Sequence, residues 1–190
     1  MPTHRQQSFL ATLWLKNRPV NTLGTLLGKP AWVNWLGNVP VTVPHIVGTV
    51  RDDSAMLSCQ AGITQAALTL YFRHTPGGYQ LYVREPGAYF GQGVVIHGHA
   101  HLGVLPVETQ APSRFELNKP SGEHIRLGDL RTDSQLIILA SQGAAIRRAR
   151  RPNTRYEYLM AQHQAVQAPQ PWILKIRERN VPWLSNPGEA

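Results

Sequence analysis

Val50-Arg-Asp-Asp-Ser-Ala-Met-Leu57 and Val83-Arg-Glu-Pro-Gly-Ala-Tyr-Phe90 match position by position in character: a strand end, a charged turn, a small residue, two bulky ones. A second pattern follows. Leu57-Ser-Cys-Gln-Ala-Gly-Ile63, Phe90-Gly-Gln-Gly-Val-Val-Ile96 and Leu139-Ala-Ser-Gln-Gly-Ala-Ala-Ile146 each run apolar, small, Gln or Gly, then apolar. Each leads to a strand of alternating bulky residues: Leu70 and Phe72, Phe115 and Leu117, Tyr156 and Tyr158. These strands start about 40 to 45 residues apart, a spacing typical of a repeat. Pro76-Gly-Gly-Tyr79 and Pro120-Ser-Gly-Glu123 turn the first two into partner strands.

Outward from this repeat, the chain reads as short β-type runs at 41–43, 46–50, 68–72, 79–83, 114–117, 124–127, 136–139 and 155–159. Runs of about four to six residues with frequent turns predict an all-β sandwich or barrel. A threefold repeat of this kind resembles the β-trefoil superfamily, lectin-like and fascin-like members included, over about residues 39–162. The resemblance implies three lobes around a pseudo-threefold axis, with Leu70, Phe115 and Tyr156 in equivalent places. The ricin-type sugar motif is absent from the lobes. Gln170-Pro-Trp172 carries its letters, but lies beyond them.

The expected organisation is therefore an all-β, β-trefoil-like core over 39–162, an N-terminal helical or irregular extension over 1–38, and a C-terminal tail over 163–190. In the extension, Phe9, Leu10, Leu13 and Trp14 fall on one helical face behind Ser8 as N-cap, and Pro19 ends that segment. Leu23, Leu26 and Leu27 form a second short pattern closed by Gly28 and Pro30. Ala31-Trp-Val-Asn-Trp-Leu36 is expected to pack on the main body. In the tail, Trp172-Ile-Leu-Lys-Ile-Arg-Glu178 reads as a last strand or short helix, and Trp183 with Leu184 as an anchor.

The 190 residues suffice for one domain with a real core, and 42% of them are hydrophobic. A single cysteine, Cys59, excludes an internal disulfide. The apolar run from Phe9 to Leu15 is followed by Lys16, Asn17 and Arg18 rather than a small-residue cleavage site. The expectation is a chain without cleavable signal peptide or transmembrane segment, cytoplasmic or exported by a non-classical route. The net charge of +8 draws such a protein toward polyanions.

Two clusters could carry chemistry. Ile96-His-Gly-His-Ala-His101 would, in a strand, align His97, His99 and His101 on one face as ligands for a divalent transition metal, the one cofactor considered. Gly98-His-Ala-His101 also resembles the final metal-binding motif of metallophosphoesterases, whose other motifs the chain lacks. Arg147-Arg-Ala-Arg-Arg151 packs four arginines into five residues, with Arg155 close behind. Guanidinium forks suit phosphate, sulfate and carboxylate. Tyr79, Tyr82 and Tyr89 are candidate stacking platforms for sugar rings, Tyr79 and Tyr89 reading better as packed residues. Cys59 reads as structural, and nucleophile and phosphate-loop motifs are absent.

These features predict a non-catalytic module recognising glycans or acidic cell-surface groups, in the manner of a lectin or secreted toxin component. Arg147, Arg148, Arg150, Arg151, Arg155 and Tyr82 are its candidate ligand-binding residues, and the N-terminal extension offers a surface for a partner chain. The alternatives are a nucleic-acid or polyanion binder acting through the arginine patch, and a metal-dependent enzyme at His97, His99 and His101.

Overall fold

The computed structural model describes residues 3–34, 50–151, 154–163 and 169–182, with the side chain of His99 excepted. The runs expected at 41–43 and 46–49, together with Trp35, Leu36, Trp183 and Leu184, lie outside the described residues. In chain order the strands are β1 Phe9–Leu15, β2 Arg18–Pro19, β3 Asn21–Thr22, β4 Trp32–Asn34, β5 Val50–Asp52, β6 Leu57–Ser58, β7 Leu70–Thr75 and β8 Gly78–Val83. They continue with β9 Gly93–Ile96, β10 Leu102–Leu105, β11 Arg114–Asn118, β12 His124–Ile125, β13 Ser134–Ser141, β14 Ala144–Arg150, β15 Glu157–Gln162 and β16 Trp172–Arg179. A short helix, α1 Leu23–Leu27, follows β3.

Six of these strands close an antiparallel barrel in the order β8-β7-β1-β16-β13-β11. The ring is completed where β11 returns to β8, pairing Phe115 with Tyr79 and Arg114 with Gln80. Closure removes the free edges that an open sheet of this length would offer to other chains. The interior is filled by alternate residues of each stave: Phe9, Leu13, Leu70, Phe72, Tyr79, Leu81, Phe115, Leu117, Ile137, Leu139 and Leu174. Phe9 stacks on Phe72 with centroids 4.7 Å apart, and Tyr79 meets Phe9 edge-on at 5.4 Å.

The β-trefoil resemblance is thereby corrected. Two of the six staves, β1 and β16, come from outside 39–162, so three self-contained lobes do not build the barrel. The matched stretches also take different roles. Val50 opens a short ribbon with β4, whereas Val83 ends a barrel stave. Leu70 and Phe115 point into the barrel, but Tyr156 precedes β15 and packs half-buried against a separate cluster of Leu23, Ala31 and Tyr158. The repeat reflects the common grammar of strand, turn and strand rather than a rotation axis.

The helical reading of Phe9, Leu10, Leu13 and Trp14 is corrected as well. The same letters carry a period of two, Phe9, Ala11, Leu13 and Leu15, and all four are buried. Short apolar runs fit both periods, and pairing with β7 on one side and β16 on the other selects the strand. The expected tail becomes the central stave β16, which settles Trp172–Arg179 as a strand.

The turns follow their residues. Gly78, at φ +152°, sits where a β-carbon would lie 2.2 Å from the carbonyl oxygen of Phe115. Only glycine lets β8 approach β11 this closely. At one end of the barrel the segments just before β1 and just after β16 are tied together. Val181 N–H donates to the Ser8 carbonyl at 3.0 Å, and His74 N–H donates to Ser8 Oγ at 3.0 Å. The His4 and His74 rings share a hydrogen bond between their Nδ1 atoms at 2.9 Å.

Gly78→Ala is expected to lower the unfolding free energy by at least ~2 kcal/mol, because both the backbone angle and the β8–β11 contact must distort. Denaturant midpoints would read this out, and an unchanged midpoint would refute it. A second prediction concerns pH. Burial, followed by the charges of His4, Arg126 and His124, lowers the His74 pKa from 6.5 to about 4. The unfolded chain therefore takes up a proton that the folded one refuses, and stability falls as pH drops from 6.5 towards 4. Urea midpoints measured across this window should fall more steeply for the native chain than for His74→Gln; parallel slopes would contradict the assignment.

Candidate functional site

The arginine cluster lies on a ribbon that leaves the barrel. Ser141 and Ala144 close a two-residue turn, Gln142-Gly143, both at positive φ (49° and 77°). This is the geometry of a tight hairpin whose twist matches its strands. β14 pairs with β13 only at Ala144 and Ala145. From Ile146 to Arg150 its ladder partner is β15, in the register Ile146↔Ala161, Arg148↔Leu159 and Arg150↔Glu157. Two side-chain bonds hold its other edge. The Trp172 indole N–H donates to the Ile146 carbonyl at 2.9 Å, and the Arg148 amide donates to Gln170 Oε1 at 2.7 Å.

Strand alternation then divides the arginines. Arg148 and Arg150 share a face with Ile146, Leu159 and Glu157. Arg147, and Arg151 after the strand, take the face of Tyr158 and Met160, which packs on Leu23 and Ala31. The distal ribbon carries Arg147, Arg148, Arg150, Arg151 and Arg155 with one carboxylate of its own, Glu157, and the buried Asp53 carboxylate meets it at the Tyr158 hydroxyl, 2.7 Å away. Arg150 and Arg155 are exposed. Arg155 folds its guanidinium over the Tyr156 ring, 5.3 Å from the centroid.

Glu157 organises the distal end of this ribbon, where it is the ladder partner of Arg150. Its Oε1 accepts from Arg148 at 2.7 Å and its Oε2 from Arg18 at 3.0 Å. Arg18 was not singled out in the sequence, because it stands 139 positions from Glu157 and only the fold joins them. Arg18 also lines a cleft of about 530 Å³ with Trp14, Asn17, Pro19 and the loop 61–65. Cys59 is fully buried, and burial first, then Glu157, pushes its thiol up to about 12. That places Cys59 as a packed residue rather than a nucleophile.

The other sequence candidates lie elsewhere. Tyr82 is only 3% exposed, facing Tyr71 and accepting from Arg73 at 3.1 Å, so it presents no ring to solvent. Tyr79 is buried in the barrel and its hydroxyl accepts from the Leu127 amide. The histidine run does not form an alternating strand face. A one-turn 3₁₀ helix, Gly98–Ala100, interrupts it, with Ala100 at φ +66°. His97 and His101 stand at the neck of this turn, joined by His97 N–H to the His101 carbonyl at 2.7 Å. The His97 ring lies over Gly103, and His101 is buried edge-on to Tyr158 at 5.3 Å. Desolvation lowers the pKa of His97. Among the described residues no three His, Cys, Asp or Glu side chains gather to hold a metal ion.

The chain matches no protein-family model, no curated protein and no solved structure.

Replacing the central carboxylate tests this organisation. Glu157→Gln removes the negative charge shared by Arg18 and Arg148, whose guanidiniums are about a third exposed while the carboxylate between them is mostly buried. It should cost ~1–2 kcal/mol in low salt and less in 1 M salt, where exposed charges are screened. Equal losses at both salt concentrations would count against an ion-pair role.

Proposed function

We propose that this protein is a non-catalytic binding module for acidic glycans, which it contacts through the distal β14–β15 ribbon. The observation that carries the reading is the concentration of five arginines on this ribbon, Arg150 and Arg155 among them exposed, while the carboxylates beside it are Glu157, held by Arg18 and Arg148, and the buried Asp53, held by the Tyr158 hydroxyl. Guanidinium forks give charge-assisted, bidentate contacts to sulfate and carboxylate groups, and their planar geometry holds such groups without a deep pocket.

Two features favour an acidic glycan over nucleic acid. A two-stranded ribbon reads duplex DNA by entering the major groove. Here the Tyr158–Met160 face is packed against α1 and its neighbours, and the Arg148 amide is held by Gln170. The ribbon thus offers a surface rather than an insertable blade. Single-stranded nucleic acid calls for open aromatic platforms. Of the tyrosines on this ribbon, Tyr158 is buried and Tyr156 lies under Arg155.

The test is calorimetric titration with a sulfated octasaccharide, its desulfated counterpart and a single-stranded oligonucleotide of equal charge. Binding of the sulfated chain should weaken steeply from 50 mM to 500 mM salt, and Arg150→Ala with Arg155→Ala should cost about tenfold or more in affinity. Equal affinity for the desulfated chain, or tighter binding of the oligonucleotide, would overturn the proposal.

A further inference from the structure

The cleft beside the ribbon combines three kinds of wall. Trp14, Pro19 and Ile63 are apolar, Asn17, Thr64 and Gln65 are uncharged hydrogen-bonding groups, and Arg18 supplies one cation. Its volume of about 530 Å³ is within the usual range for small-ligand sites. We propose that this cleft is the subsite for one uronate ring of the acidic glycan, an inference that rests on the reading of the arginine ribbon above.

The match is one of chemistry. A pyranose ring has an apolar C–H face and a rim of hydroxyls, and a uronate adds one carboxylate. An aromatic wall, an amide- and hydroxyl-bearing rim and a single guanidinium answer those three features. The wall is held in place beforehand. The Trp14 indole N–H donates to Thr12 Oγ1 at 2.9 Å, and the Lys175 ammonium stands 4.2 Å from the ring centroid. Lys175 reaches it diagonally, since the direct partners are Trp14↔Ile173 and Thr12↔Lys175. Such pre-positioning reduces the ordering cost of binding.

Continuity with the ribbon supplies the second support. Arg18 lines the cleft and holds Glu157, Glu157 holds Arg148, and Arg150 faces Glu157 across the ladder. The Glu157 pair uses one N–H of the Arg18 guanidinium, which carries five. A ring seated against Trp14 would therefore place its carboxylate at the start of a line of arginines. Successive acidic groups of the same polymer would meet Arg148 and Arg150.

The experiment is an amide and indole NMR titration of the full chain with trigalacturonate, which is carboxylated but unsulfated, and with its methyl ester. The Trp14 indole and the amides of Gly62, Ile63, Thr64 and Gln65 should shift. The ester should bind at least tenfold more weakly. Asn17→Ala with Gln65→Ala, both on exposed loops, should weaken the acid at least fivefold, while Arg150→Ala with Arg155→Ala should leave the cleft shifts in place. Absence of cleft shifts, or equal shifts from acid and ester, would overturn the subsite. If the sulfated octasaccharide still bound the ribbon, the functional reading would survive that failure; if it did not, both would fall.

Discussion

The pairing of β8 with β11 is the contact on which the rest of the molecule depends. Five neighbouring strand pairs make a curled sheet, and the sixth, Phe115 against Tyr79, turns the sheet into a barrel. It requires the backbone of Gly78 to sit against the Phe115 carbonyl, with no room for a β-carbon. With the ring closed, Phe9, Phe72, Tyr79 and Phe115 share one dry interior, and each aromatic supplies area that the others bury. The first and last described strands, β1 and β16, are neighbouring staves of that ring.

From that frame the candidate site follows by simple geometry. β13 serves the barrel through most of its length, and at Ser141 the tight Gln142-Gly143 turn sends β14 back and away. Once off the barrel, β14 has only one ladder partner. Its other edge is held by the Trp172 indole and the Gln170 side chain, both at the entry to β16. A run of arginines on such a strand resists pairing with another sheet edge and stays hydrated at its exposed tip. Glu157, only 15% exposed at its side chain, gives two of the guanidiniums around it, Arg148 and Arg18, a common anchor.

Part of this was legible in the sequence. The all-β class came from run length and turn spacing, and Pro76-Gly-Gly-Tyr79 and Pro120-Ser-Gly-Glu123 sit at real hairpin turns, whereas residues 139–146, read as a repeat unit, hold the β13–β14 turn. The arginine cluster was visible because it is local. What failed was non-local. The strand Phe9–Leu15 fits a helix and a strand equally until its neighbours choose, and the threefold repeat was drawn from letters that any strand–turn–strand unit shares. The cleft was invisible for the same reason: Trp14, Arg18 and Gln65 converge only because β1 and the loop before β7 meet in space. The alternation of His97, His99 and His101 was real in sequence, but a residue at positive φ, Ala100, broke the strand it presupposed.

The Glu157 clamp also bears on what kind of acid the site would select. A free carboxylate or sulfate approaching Arg148 or Arg18 must compete with a carboxylate already tethered within hydrogen-bonding distance of both. A tethered competitor acts at a high effective concentration, so single small anions are disfavoured. A polymer escapes that penalty. A first contact outside the clamp, at the exposed Arg155 or at the cleft walls of Trp14 and residues 61–65, makes every later contact intramolecular, and the ligand's own groups then contend with Glu157 on equal terms. In the proposed reading, Glu157 is therefore a selectivity element as well as a structural one: it turns an arginine-rich surface from a general anion trap into one that favours chains of regularly spaced acidic groups.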